Sequence, residues 1–164
     1  MIHYRMHASP LGSLLLAATG QGLCGLYFDQ HRHFKGPHGW VASSDHPHLR
    51  DAAEQLDEYF DGKRQTFDLP LDLAGTPFQR RVWEQLSRLP YGASTSYLLH
   101  AEASGAGHAV RAVGTAIGRN PISIIVPCHR VVASNGALAG YAGGLKRKRF
   151  LLAFEAAGSG GKEV

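Results

Sequence analysis

The feature that most constrains this chain is a run of nine residues, Ile124-Ile125-Val126-Pro127-Cys128-His129-Arg130-Val131-Val132. Its three leading β-branched residues read as a buried strand that ends at Pro127. Proline fixes φ and removes a backbone donor, so the chain must change direction just where a thiol is presented. A sulfur at the end of a strand, beside an imidazole and a cation, is placed to ionise and react. A small buried cysteine that a histidine happens to follow accounts for these residues equally well. The rest of the chain has to decide.

At 164 residues the chain makes one domain of ordinary size or two small ones. With 44% hydrophobic and 18% charged residues, and no low-complexity tract, it has the composition of a globular protein. No apolar run nears the length that crosses a bilayer, and Met1-Ile2-His3-Tyr4 does not resemble a signal peptide, so the expected location is the cytoplasm. A reducing compartment argues against a disulfide between Cys24 and Cys128. The net charge of +4 favours a polyanionic partner without identifying one.

The N-terminal third reads as β structure. Ile2-His3-Tyr4-Arg5-Met6 alternates, while Leu14-Leu15-Leu16-Ala17-Ala18 and Leu23-Cys24-Gly25-Leu26-Tyr27-Phe28 are apolar runs. Ser9-Pro10-Leu11-Gly12 and Gly20-Gln21-Gly22 supply turns between them, which predicts a three-stranded meander with Cys24 in the core. From residue 29 to 47 the pattern is lost. His31, His33, His38, His46 and His48 gather around this stretch, but no ligand set there matches a structural zinc pattern, and no metal is expected. Leu49, Ala52, Ala53, Leu56, Tyr59 and Phe60 recur at helical spacing before Gly62 and predict a helix covering the sheet. Residues 63–75 read as a connection, with a short extended segment at 67–69.

Thr76-Pro77-Phe78-Gln79 opens a second unit with an N-cap threonine and proline at the first helical position. Phe78, Val82, Leu86 and Leu89 form its apolar stripe, and Pro90-Tyr91-Gly92 stops it. A further helix starts near Ser96 and runs through Tyr97, Leu98, Leu99 and Ala103. Ser104-Gly105-Ala106-Gly107 turns the chain into a third helix with Ala109, Val110, Ala112, Val113, Ala116 and Ile117. Helix, glycine-containing turn, helix is the outline of a helix-turn-helix, which many hairpins share without binding DNA. The third helix is mostly small residues, with Arg111 its main long polar side chain. That suits close approach to a backbone or a narrow groove better than base reading in the major groove. Arg111 is able either to meet a phosphate or to fill the space left by an extruded base.

Asn120-Pro121 breaks that helix. After the cysteine run come the turn Ser134-Asn135-Gly136 and the glycine-rich loop Gly140-Tyr141-Ala142-Gly143-Gly144. A last helix spans residues 146–157, with Phe150, Leu151 and Phe154 toward the core and Gly158 at its end. Lys146-Arg147-Lys148-Arg149 is most simply a solvated face. Glu155 lies late in the helix, where the macrodipole disfavours a carboxylate. It is either an exposed residue or the partner of an inward group such as a histidine.

Together these residues carry a resemblance. Asn120-Pro121, Pro127-Cys128-His129-Arg130-Val131, Tyr141-Ala142-Gly143-Gly144 and Leu151-Leu152 with Glu155 resemble the O6-alkylguanine-DNA alkyltransferases, also called methylated-DNA–protein-cysteine methyltransferases. Ser9-Pro10-Leu11-Gly12, Thr76-Pro77-Phe78-Gln79, Pro90-Tyr91-Gly92, Ser96-Tyr97 and Arg111-Ala112-Val113-Gly114 extend the likeness over nearly the whole length. The form resembled is the stand-alone bacterial one.

The resemblance implies an α+β fold. A ribonuclease H-like domain over residues 1–72, a small antiparallel sheet with a covering helix, would precede a mainly helical domain over 73–164. The second domain would carry the helix-turn-helix and the active-site cysteine. It also implies a single-turnover DNA-repair protein, monomeric and free of cofactor or metal. Such a protein binds duplex DNA in the minor groove, flips out O6-alkylguanine or O4-alkylthymine, and moves the alkyl group to its cysteine. Cys128 would be the acceptor, activated through His129 and Glu155, with Asn120 ordering the site and Tyr97 assisting departure of the base. Arg111 would fill the gap in the stack, with Tyr97, Leu98 and Ser134 also at the DNA. Tyr141, Ala142, Gly143 and Ile117 would line the base pocket. Leu98, Ala93 and the turn Gly105-Ala106-Gly107-His108 depart from the family's usual residues, all on the expected DNA side.

The chemistry also follows from the residues. A free thiol is only a few per cent ionised at neutral pH and needs a base. Neighbouring side chains in an extended chain point to opposite faces, so transfer from Cys128 to His129 requires a bend after Pro127 or a bridging water. Three other readings compete. A non-repairing alkyltransferase-like DNA binder would lack the cysteine, and a transcription regulator needs a richer recognition helix. A cysteine hydrolase needs an oxyanion hole that nothing else in the sequence supports.

Overall fold

Strand alternation in the first thirty residues closes into a meander. In the computed structural model, which describes residues 1–160, β1 (His3–Ser9), β2 (Gly12–Ala18) and β3 (Leu23–Phe28) pair antiparallel in sequence. Gly12, at φ 99°, makes the first turn, where Ser9 Oγ accepts from the Leu11 amide and donates to the Gly12 carbonyl. A two-residue strand, β4 (Val41–Ala42), adds parallel to β1 and gives the order β3-β2-β1-β4. The sequence shows no strand here because two exposed residues carry no pattern. The extended segment expected at 67–69 is not a strand either; the one backbone bridge in the connection is made two residues later, by Leu71 to Leu23.

Helix α1 (Pro47–Phe60) starts two residues before its first buried leucine. His46 is its N-cap, its ring accepting from the His48 amide at 3.3 Å, and Pro47 takes the first helical position. Leu49, Ala52, Leu56 and Tyr59 are wholly buried, and each large side chain contributes roughly 1.5–3 kcal/mol by leaving water. These residues form the first compact unit, Met1–Ala74; the second begins at Gly75.

In the second unit, α2 (Pro77–Leu86) opens with a full capping box. Thr76 Oγ1 accepts from the Gln79 amide, and the Gln79 side chain accepts from the Thr76 amide. Trp83, which the stripe read from sequence omitted, is buried on this helix and donates to the Ala116 carbonyl at 2.8 Å, tying α2 to the helix that carries Ala116. The short pair β5 (Thr95–Ser96) and β6 (Val131–Val132) sets Thr95 beside Val131 in parallel register. Ser96 then caps α3 (Tyr97–Ala103), and α4 (Val110–Gly118) completes the helix-turn-helix. On α3, Leu98 and Leu99 are exposed while His100 and Ala101 are buried.

Three expectations fail here. The run Ile124-Ile125-Val126 is not a strand but a turn, with the Val126 amide on the Ile122 carbonyl. Its β-branched residues are there for burial, since Ile124, Ile125 and Val126 are at most 8% exposed. Helix α5 (Leu145–Gly160) continues past Gly158, where the Tyr91 hydroxyl would lie 2.6 Å from an added Cβ; that glycine stands inside the helix at a close approach and is not its cap. Phe150 is 38% exposed and stacks on Phe154, leaving Leu151 as the wholly buried one of the three expected core residues.

Candidate active site

Pro127 bends the chain into a single 3-10 turn, Cys128–Arg130, all of it buried. Successive side chains in such a turn diverge by about 120° and not the ~180° of a strand. This is the bend that the adjacent thiol and imidazole require. Asn120, just past α4, straps the approach: its Nδ2 donates to the Val126 carbonyl at 2.8 Å, and its Oδ1 accepts from the Ile122 amide at 3.0 Å.

Glu155 is the inward partner and is 1% exposed. Its Oε2 meets His129 Nε2 at 2.8 Å and Arg130 Nη2 at 3.0 Å, while its Oε1 accepts from Arg130 Nε at 2.8 Å. Arg130 Nη1 donates to the Leu89 carbonyl at 2.6 Å. Burial alone would raise the carboxyl, but these donors outweigh it and hold Glu155 at about 2. A carboxylate facing Nε2 fixes the proton on that nitrogen and leaves Nδ1 as the acceptor. Nδ1 is buried and makes no hydrogen bond among the described residues. Burial also lowers the pKa of His129, more than Glu155 raises it, so the ring is a neutral base at pH 7.

Burial raises the pKa of the Cys128 thiol, while a hydrogen bond from Asn120 and the charge of Lys148 pull it back. Lys148 is the residue that sequence reasoning missed. It is 1% exposed rather than part of a solvated face, and Nζ donates to the carbonyls of Ala139 at 2.7 Å and Gly140 at 3.2 Å. Only its three-residue offset from Leu145 and Leu151, along one helix face, hints at an inward direction. Burial lowers its pKa to about 8 against the opposing pull of Cys128. Tyr97 OH donates to the same Ala139 carbonyl at 3.1 Å, with Lys148 Nζ 5.8 Å from its ring centre. Burial, and then Cys128, raise the phenols of both Tyr97 and Tyr141.

Asn120, Tyr97, Tyr141 and Lys148 thus couple electrostatically to the thiol, and the adjacent His129 and Arg130 are joined through Glu155 in one buried network. Ala142 is half-buried and Gly143 buried in the following loop, and Ile117 is buried on α4. Arg111, Leu98 and Ser134 are exposed and take no part in this network. Cys24, by contrast, is a free thiol that burial and Asp72 push up to about 11, far from ionising. Among the described residues, no group of three or more His, Cys, Asp or Glu is placed to hold a metal ion, and no helix is long and apolar enough to cross a membrane.

Known proteins are similar to this chain over nearly its whole length. Residues 2–73 match the sequence model of the 6-O-methylguanine DNA methyltransferase ribonuclease-like domain, and residues 77–157 match that of its DNA binding domain. The methylated-DNA–protein-cysteine methyltransferase of Mycobacterium tuberculosis is 47% identical over 155 residues, covering 94% of this chain and 93% of that one. The constitutive enzyme of that name from Bacillus subtilis is 45% identical over 165 residues, covering 94% and 96%. The crystal structure of M. tuberculosis OGT in complex with DNA superposes with a TM-score of 0.89 at 45% identity, covering 95% and 94%. The chain belongs to the 6-O-methylguanine DNA methyltransferase family.

Proposed function

We propose that Cys128 accepts the alkyl group of O6-alkylguanine in duplex DNA, in a reaction that each molecule performs once. The observation that carries this reading is the buried chain Glu155–His129, whose free Nδ1 lies one residue from a thiol. His129 takes the thiol proton, directly or through one bridging water, and Glu155 stabilises the imidazolium. The thiolate attacks the alkyl carbon, a C–S bond forms as the C–O6 bond breaks, and the electron pair leaves onto the guanine. Tyr97 is the donor that meets the charge developing on that ring. A thioether has no group here to release it, so Cys128 is consumed.

The exposed face of α3 and α4 is read as the DNA surface, in the minor groove. Leu98 and Ser134 would lie at its edge, and the protein would work as a monomer in the cytoplasm. Asn120 orders the thiol, while Tyr141, Ala142, Gly143 and Ile117 line the pocket for a flipped guanine or O4-alkylthymine. The C-terminal domain would carry all of this chemistry.

Incubation with duplex bearing O6-methylguanine is expected to add one methyl mass, once per protein, to the peptide containing Cys128. Repeated turnover, or a methyl group elsewhere, contradicts the reading. Cys128→Ala should abolish transfer with DNA affinity retained. Arg111→Ala is expected to slow reaction with duplex by roughly 10- to 100-fold, because the inserted side chain offsets extrusion of the base. Reaction with the free modified base should be unchanged, and equal losses on both would remove Arg111 from the stack.

A further inference from the structure

Two tight turns carry the chain from Asn120 to Cys128. The second is the relaxed kind: Pro127, at φ −82° and ψ 66°, centres an inverse γ-turn closed by the Cys128 amide on the Val126 carbonyl at 2.8 Å. The first is strained. Ile124 has φ 71°, and the Ile125 amide donates to the Ser123 carbonyl at 2.8 Å, which makes the rare left-handed γ-turn. Among the described residues, the other positive-φ positions are nine glycines, Gln30 and His33. A β-branched residue is the least suited to that region, and strain of this kind persists only where its surroundings over-determine it.

What the strained position holds is an anchored side chain, since Ile124 is 1% exposed. Glycine would adopt the same φ freely, but it would have nothing to anchor. The turn leads directly to the Val126 carbonyl, which accepts both the Asn120 side-chain amide and the Cys128 backbone amide, each at 2.8 Å. Asn120 also acts on the thiol, lowering its pKa against the effect of burial. Any rotation at Ile124 therefore swings the carbonyl on which the strap and the nucleophile are both hung.

We propose that Ile124 is a positioning residue for alkyl transfer: its buried side chain locks a left-handed turn that fixes the Val126 carbonyl and, through it, Asn120 against the Cys128 thiol. This rests on Cys128 being the acceptor. Rigidity at this turn keeps the Asn120 side chain, held on the Val126 carbonyl, in the position from which it favours the thiolate.

The test is the second-order rate constant of the intact protein with free O6-benzylguanine, measured against pH alongside urea unfolding. A free base leaves DNA binding and base extrusion out of the rate. Ile124→Val keeps the branched side chain and should stay within about twofold of the parent. Ile124→Leu keeps the volume but loses the branch at Cβ, and should slow the reaction about threefold. Ile124→Gly should slow it at least about tenfold and move the pH profile upward by at least about half a unit, while unfolding at no less urea than Ile124→Ala.

Rates that simply follow the urea midpoints, with an unshifted pH profile, would mean that Ile124 is only part of the core and would overturn the proposal. So would a glycine variant that reacts like the parent, or one that fails to fold where the alanine variant folds. Should neither fold, Ile124→Leu against Ile124→Val decides, and equal rates and profiles overturn the proposal. Mass analysis in parallel separates the two levels: a parent protein that gains no benzyl group on Cys128 refutes the acceptor reading itself, however the Ile124 variants behave.

Discussion

Replacing Glu155 by alanine is expected to destabilise the protein by about 3–5 kcal/mol and to abolish alkyl transfer, because it strands a guanidinium and an imidazole in the interior. Arg130 is 6% exposed. Without the carboxylate it keeps one acceptor among the described residues, the Leu89 carbonyl. Glu155→Gln keeps the shape but turns one accepting oxygen into a donor that must face either His129 or Arg130, so it should fall between alanine and the parent.

The same network sets the acid limb of stability. Glu155 is held at about 2, below its usual value of about 4.3, so its contribution is full above pH ~4.3 and is lost as pH falls toward 2. That depression is worth roughly 3 kcal/mol. His129, buried and neutral with its pKa lowered, adds a second loss that begins as pH drops below its ordinary value of about 6.5. Urea midpoints at pH 7, 5 and 3 should therefore fall in two stages for the parent, and Glu155→Gln should lose the lower stage. A Glu155→Ala protein as stable as the parent at pH 7 would show that the pair is not stabilising.

Much of this was legible in the sequence, for identifiable reasons. The meander and the capped helices are local, written in alternation, 3.6-residue recurrence and cap chemistry. Glu155 was conspicuous because a carboxylate near a helix C-terminus is misplaced, and the buried His129–Arg130 pair accounts for that placement. Ile124 failed the strand reading because β-branching signals burial as readily as pairing. No local rule predicts a left-handed isoleucine; only the packing around it and the strap from Asn120 require one. Lys148 was hidden for another reason. Inside a basic run, which cation turns inward depends on distant carbonyls and carboxylates that no spacing announces.

Lys148 then supplies a prediction that separates two roles. Its ammonium stitches the Ala139 and Gly140 carbonyls, and it also exerts an attractive charge on Cys128. Lys148→Met keeps most of the side-chain volume and removes both the donors and the charge, and is expected to slow transfer to free O6-benzylguanine by roughly 10- to 100-fold at pH 7. If the charge matters, the pH at which the thiol becomes reactive should also rise, because a cation near a thiol favours the thiolate. If Lys148 only staples the loop, the rate should drop by the same factor at every pH. Lys148→Arg sharpens the contrast: it restores charge, but its planar fork replaces a compact ammonium at a position that is 1% exposed. Partial recovery of the pH profile without recovery of the rate would assign the charge to the thiol and the geometry to the loop. A Lys148→Met protein with parental rate and profile would leave the buried lysine with neither role.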